Sequence, residues 1–169
     1  TFQLTTLFME LSVLQNILIG LHLKSPMKPF RAILLGQAAF KQEIGVASEI
    51  INLVGLRGLE KRLAGELPHG HQRLLGVGIA LACDPKILLL DEPVTGMNKD
   101  EKASMAAVIR DLHAKGLTIL LVEHDISTVM DICERILVLN FGCKIAEGSP
   151  AEVRTNRHVI EAYLGPEIS

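Results

Sequence analysis

The chain has 169 residues, enough for one domain around a single core, and 49% of them are apolar. Its 17 basic and 19 acidic side chains are intermixed and leave a net charge of −2, so no basic face marks it for nucleic acid. No run approaches the roughly 18 apolar residues that cross a bilayer, and the chain does not open on a secretion signal. The apolar excess predicts a surface made for a partner or for neighbouring structure. The first residue, Thr1, is not Met, which predicts that the natural start lies elsewhere.

Helical and strand signals alternate along the chain, predicting an α/β sheet. Ser12 to Gln15 is a capping box that opens a helix with Leu14, Ile17, Leu18 and Leu21 on one face. Residues 22–31 hold two prolines and three cations and read as a surface loop. A helix over Gln42 to Val54 presents Ile44, Ala47, Ile51 and Val54, and Gly55 stops it. Pro68 suits the first turn of the next helix, which runs to Ala82. Inside it, Gly76 and Gly78 each cost about 1 kcal/mol against alanine, which points to a soft helix or to a sequence that has drifted.

Lys86 to Leu90 is a short apolar run closed by Asp91-Glu92-Pro93, the pattern of a strand buried on both faces of a parallel sheet. Asn98 caps a helix with the stripe Met105, Val108, Ile109 and Leu112, ending at Lys115-Gly116. Thr118 to Val122 is a second buried strand, followed by Glu123-His124-Asp125. Strand, helix and strand form one right-handed crossover, which brings both polar strand ends to the same sheet edge. Open α/β sheets bind ligands at that edge.

A helix over Ile126 to Glu134 leads to a hairpin, Arg135 to Leu139 and Cys143 to Glu147, turning at Asn140-Phe141-Gly142. Ser149-Pro150-Ala151-Glu152 is another capping box. A last helix carries Val159, Ile160, Tyr163 and Leu164 and ends at Gly165-Pro166. Cys83, Cys133 and Cys143 are odd in number and lack metal spacing, so they read as reduced core thiols of a cytosolic protein.

Two adjacent acids at a strand end suit phosphoryl transfer to water. Asp91 would hold Mg²⁺, usually through water, and Glu92 would face the attacking water. Taken alone, Asp-Glu-Pro is equally well read as a turn that stops a strand. His124 sits at the matching end of the next strand, where an imidazole can reach a terminal phosphate and hydrogen-bond the group that positions water. His69 and His71 lack the further ligands that a structural zinc takes.

With these residues in view, Ile87-Leu88-Leu89-Leu90-Asp91-Glu92-Pro93 resembles the Walker B strand of ABC ATPases, and Val122-Glu123-His124-Asp125 resembles their switch histidine. Leu67-Pro68-His69-Gly70-His71-Gln72-Arg73 stands where their signature motif belongs. Thr95-Gly96-Met97-Asn98 stands at the D-loop, and Thr1-Phe2-Gln3 is similar to the Q-loop. Gly96-Met97-Asn98, the proline in the signature and the ending Val159 to Gly165 are most like the ATPase subunits of branched-chain amino-acid importers.

The resemblance implies a P-loop NTPase-like parallel sheet with a helical subdomain, truncated at its N-terminus. Residues of about 4–83 would form the helical subdomain and signature helix, about 84–148 the Walker B and switch-histidine part of the core, and 149–169 the C-terminal helices. It implies an ATPase using ATP and Mg²⁺, with Glu92 and His124 catalytic, Asp91 and Gln3 at the metal, and Asn98 near the nucleotide. Gly70, His71 and Gln72 would offer helix N-terminal amides to the γ-phosphate. It further implies a second ATPase subunit, as homo- or heterodimer, and transmembrane permease subunits, with the protein peripheral on the cytoplasmic face of the membrane.

Three departures matter. The signature serine is Pro68, its first glycine is His69, and its usual glutamine is His71. No Gly-x-x-x-x-Gly-Lys-Ser/Thr occurs in the 169 residues, so no lysine-bearing loop cradles the phosphates. The chain alone is therefore expected to bind ATP poorly and to hydrolyse none. A second reading is a dimerising remnant that has lost nucleotide chemistry. A soluble ABC ATPase acting on chromosomes or ribosomes fits less well, because the long insertions usual there are missing.

Overall fold

The computed structural model describes residues 7–24 and 29–164, with side chains described outside 23–39 and 164. The elements run α1 (Val13–Lys24), α2 (Pro29–Leu53), a 3-10 turn (Ala64–Glu66), α3 (His69–Ala82), β1 (Ile87–Asp91), α4 (Lys99–Ala114) and β2 (Thr118–Val122). These are followed by α5 (Ile126–Ile132), β3 (Ile136–Asn140), β4 (Cys143–Gly148), α6 (Pro150–Arg154) and α7 (Arg157–Leu164). Two compact units result, residues 1–122 and 123–169.

In the first unit the capping box at Ser12 is formed in both directions, the Ser12 amide donating to Gln15 Oε1 at 2.8 Å and the Gln15 amide to Ser12 Oγ at 3.2 Å. α2 begins at Pro29, well before the expected Gln42, so the described ends of the loop expected over 22–31, residues 22–24 and 29–31, are helical, while 25–28 lie outside the described residues. Proline punctuates a loop but also suits a first helical position, and here the second role wins.

Gly20 and Gly78 let α1 and α3 approach closely. A Cβ on Gly20 would lie 2.8 Å from Ala82 Cβ and 2.9 Å from the Ile79 carbonyl, and one on Gly78 would lie 2.7 Å from Ile17 Cδ1. Gly76 and Gly78 are both buried.

Asn16 is fully buried and ties the chain leading into α1 to that helix. Its Oδ1 accepts from the Phe8 amide at 3.0 Å, and its Nδ2 donates to the carbonyls of Phe8, Leu11 and Ser12 at 3.0–3.2 Å.

β1 and β2 pair in parallel, Ile87 with Thr118 through Asp91 with Val122. α4 is the crossover between them, and its Met105, Val108, Ile109 and Leu112 are buried as their spacing predicts. Leu88 and Leu90 are buried, yet Ile87 and Leu89 on the other face are 55% and 37% exposed, as are Leu120 (57%) and Val122 (56%). The expectation of strands buried on both faces is therefore corrected. A continuous apolar run records what each face can pack against, not whether the packing neighbour is present.

In the second unit the predicted hairpin forms between β3 and β4, antiparallel, with a bulge between Val138 and Leu139. Phe141 and Gly142 both take positive φ, the twist that a two-residue hairpin turn needs. Val138, Ala146, Val153 and Val159 build its core. Ile160 and Tyr163 of α7 are exposed, against the stripe expected there, and Gly165-Pro166 lie outside the described residues. All three cysteines are free, but Cys143 is exposed on β4, so the core-thiol expectation fails for it. Burial pushes the Cys133 thiol up and keeps it protonated. No described helix is long and apolar enough to cross a membrane.

Asn16→Ala removes four hydrogen bonds at a buried site, among them the one to the Phe8 amide, while the carbonyls of Phe8, Leu11 and Ser12 each keep a backbone donor. It is expected to lower stability by roughly 2–3 kcal/mol, read as a shift in the denaturant midpoint at unchanged slope.

Candidate functional site at the strand ends

The two acids stand where the parallel pairing ends. Asp91 is the last residue of β1, opposite Val122, and the Glu92 amide donates to the Val122 carbonyl at 2.8 Å. Asp91 is half-buried and Glu92 exposed. The chain then folds into two successive turns, the Thr95 amide donating to Glu92 O at 3.3 Å and the Met97 amide to Val94 O at 3.1 Å. Val94 and Met97 are buried and anchor the turns. Thr95 Oγ1 donates to Glu92 Oε2 at 3.2 Å, which aims the carboxylate.

Asn98 closes this segment as the N-cap of α4. Its Oδ1 accepts from the amides of Asp100 and Glu101, both at 3.0 Å, and Glu101 Oε2 returns the bond to the Asn98 amide at 3.0 Å. The start of α3 lies against the same segment. A Cβ at Gly96 would sit 3.5 Å from His69 Cε1. A cleft of about 160 Å³ between α3 and β1 is lined by His69, Gln72, Arg73, Asp91 and Pro93 among others. Ligand pockets run to roughly 300–1,000 Å³, so this cleft by itself is too small for a nucleotide.

The amides expected to meet a phosphate are partly engaged. Pro68 is the N-cap of α3 and not its first residue. Gly70 donates to Glu101 Oε1 at 3.2 Å. The Gln72 amide donates to the Pro68 carbonyl at 3.0 Å, and its side chain donates to the carbonyls of Leu67 and Ala64. His71 is half-buried, and its Nδ1 is buried with no hydrogen-bond partner among the described residues.

His124 belongs to the second unit and is exposed. Glu123 Oε2 accepts from the amides of His124 and Asp125 at 3.0 and 3.3 Å and lies 3.8 Å from His124 Nδ1. Asp125 caps α5 through the Thr128 amide at 3.0 Å. Gln3 lies outside the described residues.

Residues 1–95 match the family described as ABC transporter, and residues 143–165 match that described as branched-chain amino acid ATP-binding cassette transporter. The chain belongs to the ABC transporter ATP-binding family. It is 37% identical over 169 residues to the high-affinity branched-chain amino acid transport ATP-binding protein LivG of Salmonella typhimurium. It is equally similar, over 170 residues, to BraF of Pseudomonas aeruginosa, which carries the same description. Each match takes in 98% of this chain but 66% of the relative, so the chain spans just under two thirds of their length. The ADP conformation of MJ1267, an ATP-binding cassette of an ABC transporter, superimposes with a TM-score of 0.75 at 29% identity, covering 93% of this chain and 64% of that one.

Within this ABC fold, Glu92 has φ +46, in the left-handed region. A side chain there costs about 1–2 kcal/mol, and such strain persists where surrounding structure holds it. The bonds from its amide to Val122 and from Thr95 to its carbonyl and carboxylate hold it here. Sequence reasoning found the acid but could not find its conformation, since a glutamate signals nothing about φ.

Glu92→Gly is therefore expected to raise stability by about 1 kcal/mol, while Glu92→Ala is not. Equilibrium unfolding of the two variants side by side checks this. A glycine variant no more stable than the alanine variant contradicts the strain.

Proposed function

We propose that this chain is part of the ATP-hydrolysing subunit that energises an importer of branched-chain or related amino acids. The carrying observation is the adjacent pair Asp91 and Glu92 at the carboxyl end of a parallel strand, with Glu92 strained, anchored to Val122 and aimed by Thr95. The descriptions of LivG and BraF supply the solute class.

In this reading Glu92 orients the attacking water and accepts its proton, and His124 contacts the terminal phosphate from the neighbouring strand end. Gln3 senses the same water and links it to the membrane subunit. Asn98 and the start of α3, at Gly70, His71 and Gln72, face nucleotide held by a second ATPase subunit. Magnesium ion, where bound, neutralises phosphate oxygens. Asp91 offers it a hard carboxylate oxygen, which fits an ion that takes one or two carboxylates and leaves its other positions to phosphate and water. The partners are that second subunit and transmembrane permease subunits, placing the protein on the cytoplasmic face of the membrane. Residues of about 4–83 would serve as the helical subdomain, 84–148 as core and 149–169 as C-terminal helices.

The 169 residues contain no phosphate-binding loop, so that loop has to come from chain outside them or from another subunit. The engaged amides of Gly70 and Gln72 favour a second reading, a dimerising remnant without nucleotide chemistry.

The deciding experiment joins the chain to the unmatched third of Salmonella typhimurium LivG and measures ATP hydrolysis. The joined protein is expected to turn over. Glu92→Gln should lose about 100-fold or more in rate while ATP-driven pairing, followed by light scattering, is retained. Hydrolysis at the unsubstituted rate by Glu92→Gln would refute the assignment of the base, and no turnover by the joined protein favours the remnant.

A further inference from the structure

The carboxylate of Glu101 is shared between two segments that are 28 residues apart in sequence. Oε1 accepts from the Gly70 amide at 3.2 Å, in the first turn of α3. Oε2 accepts from the Asn98 amide at 3.0 Å, at the end of the turns that follow Glu92. The Asn98 side chain in turn holds the Glu101 amide, so the acid is fixed at its own backbone. A capping box accounts for the Asn98 half of this arrangement; it does not account for Gly70.

Gly70 is buried and shaped to admit the acid. A Cβ there would lie 2.6–2.8 Å from Oε1, the carboxyl carbon and Cγ of Glu101. Alanine would be the better helix former, and only glycine lets the carboxylate reach this amide. A second contact joins the same two segments, His69 over Gly96.

We propose that Glu101 is a positioning residue that clamps the first turn of α3 to the Thr95–Asn98 turn. The proposal rests on the reading that both segments face nucleotide. Because one carboxylate serves both amides, a shift of that carboxylate alters the hold on Gly70 and on Asn98 together. The two segments therefore respond to nucleotide as one body, and the turns that carry Glu92 feel the state of α3.

Amide hydrogen exchange of the 169-residue chain, read residue by residue by NMR, tests this without nucleotide. Glu101→Ala should speed exchange at both Gly70 and Asn98 by about tenfold or more, as expected for loss of a hydrogen bond to a charged group. Glu101→Gln, with one acceptor oxygen in place of two, should restore protection at one of the two amides. The decisive variant is Gly70→Ala. Its methyl displaces the carboxylate, so the Asn98 amide should lose protection although it is not near the substituted residue in sequence. Unchanged Asn98 exchange in Gly70→Ala, or unchanged Gly70 exchange in Glu101→Ala, overturns the clamp. Either result leaves the ATPase reading standing, and an inactive joined protein leaves the clamp standing.

Discussion

The pairing of β1 with β2 is the constraint on which the rest of the site depends. Strand register has a period of two, so a slip of one residue would turn Leu88 and Leu90 out of the core and carry Ile87 and Leu89 into it. Five residue pairs in register end at Asp91 and Val122, and the Glu92 amide adds one more bond to the Val122 carbonyl. That last bond decides where the chain leaves the sheet. The left-handed turn of Glu92, the anchoring of Val94 and Met97, and the cap at Asn98 all follow downstream of it.

Local features of this fold were legible in the sequence because their causes are local. The caps at Ser12, Asn98 and Ser149 each rest on side chains three residues apart, and all three capping boxes form. The stripe of α4 and the turn at Phe141-Gly142 are legible for the same reason. The start of α2 was not, because Pro29 serves a loop or a first helical turn equally well. Nor was the role of Gly78, whose value depends on Ile17, sixty-one residues earlier.

The site divides along the same line. Asp91 and Glu92 could be picked out because they end an apolar run and the next strand ends at His124, and Gly70 and Asn98 because motif spacing marks them. The cap that Asn98 places on α4 was legible too, but other contacts were hidden: Gln72 commits its amide and side chain to the start of α3, and Gly70 donates to an acid 31 residues away. The departures from the family signature also acquire a physical setting. His69 packs against Gly96, so a side chain larger than the usual glycine is accommodated by contact with the turn that follows Glu92. The strain at Glu92 is the opposite case, a conformation that lowers stability and is held by neighbours at the residue proposed to do the chemistry.

The central proposal is that Asp91 and Glu92 stand at a metal-bound nucleotide. Paramagnetic broadening in the joined protein, with Mn²⁺ and ATP replacing Mg²⁺ and ATP, tests it most directly. The account predicts that amide signals of residues 91–95 vanish together on addition of both. Broadening that spares the acidic pair, or that centres on another part of the chain, would contradict it.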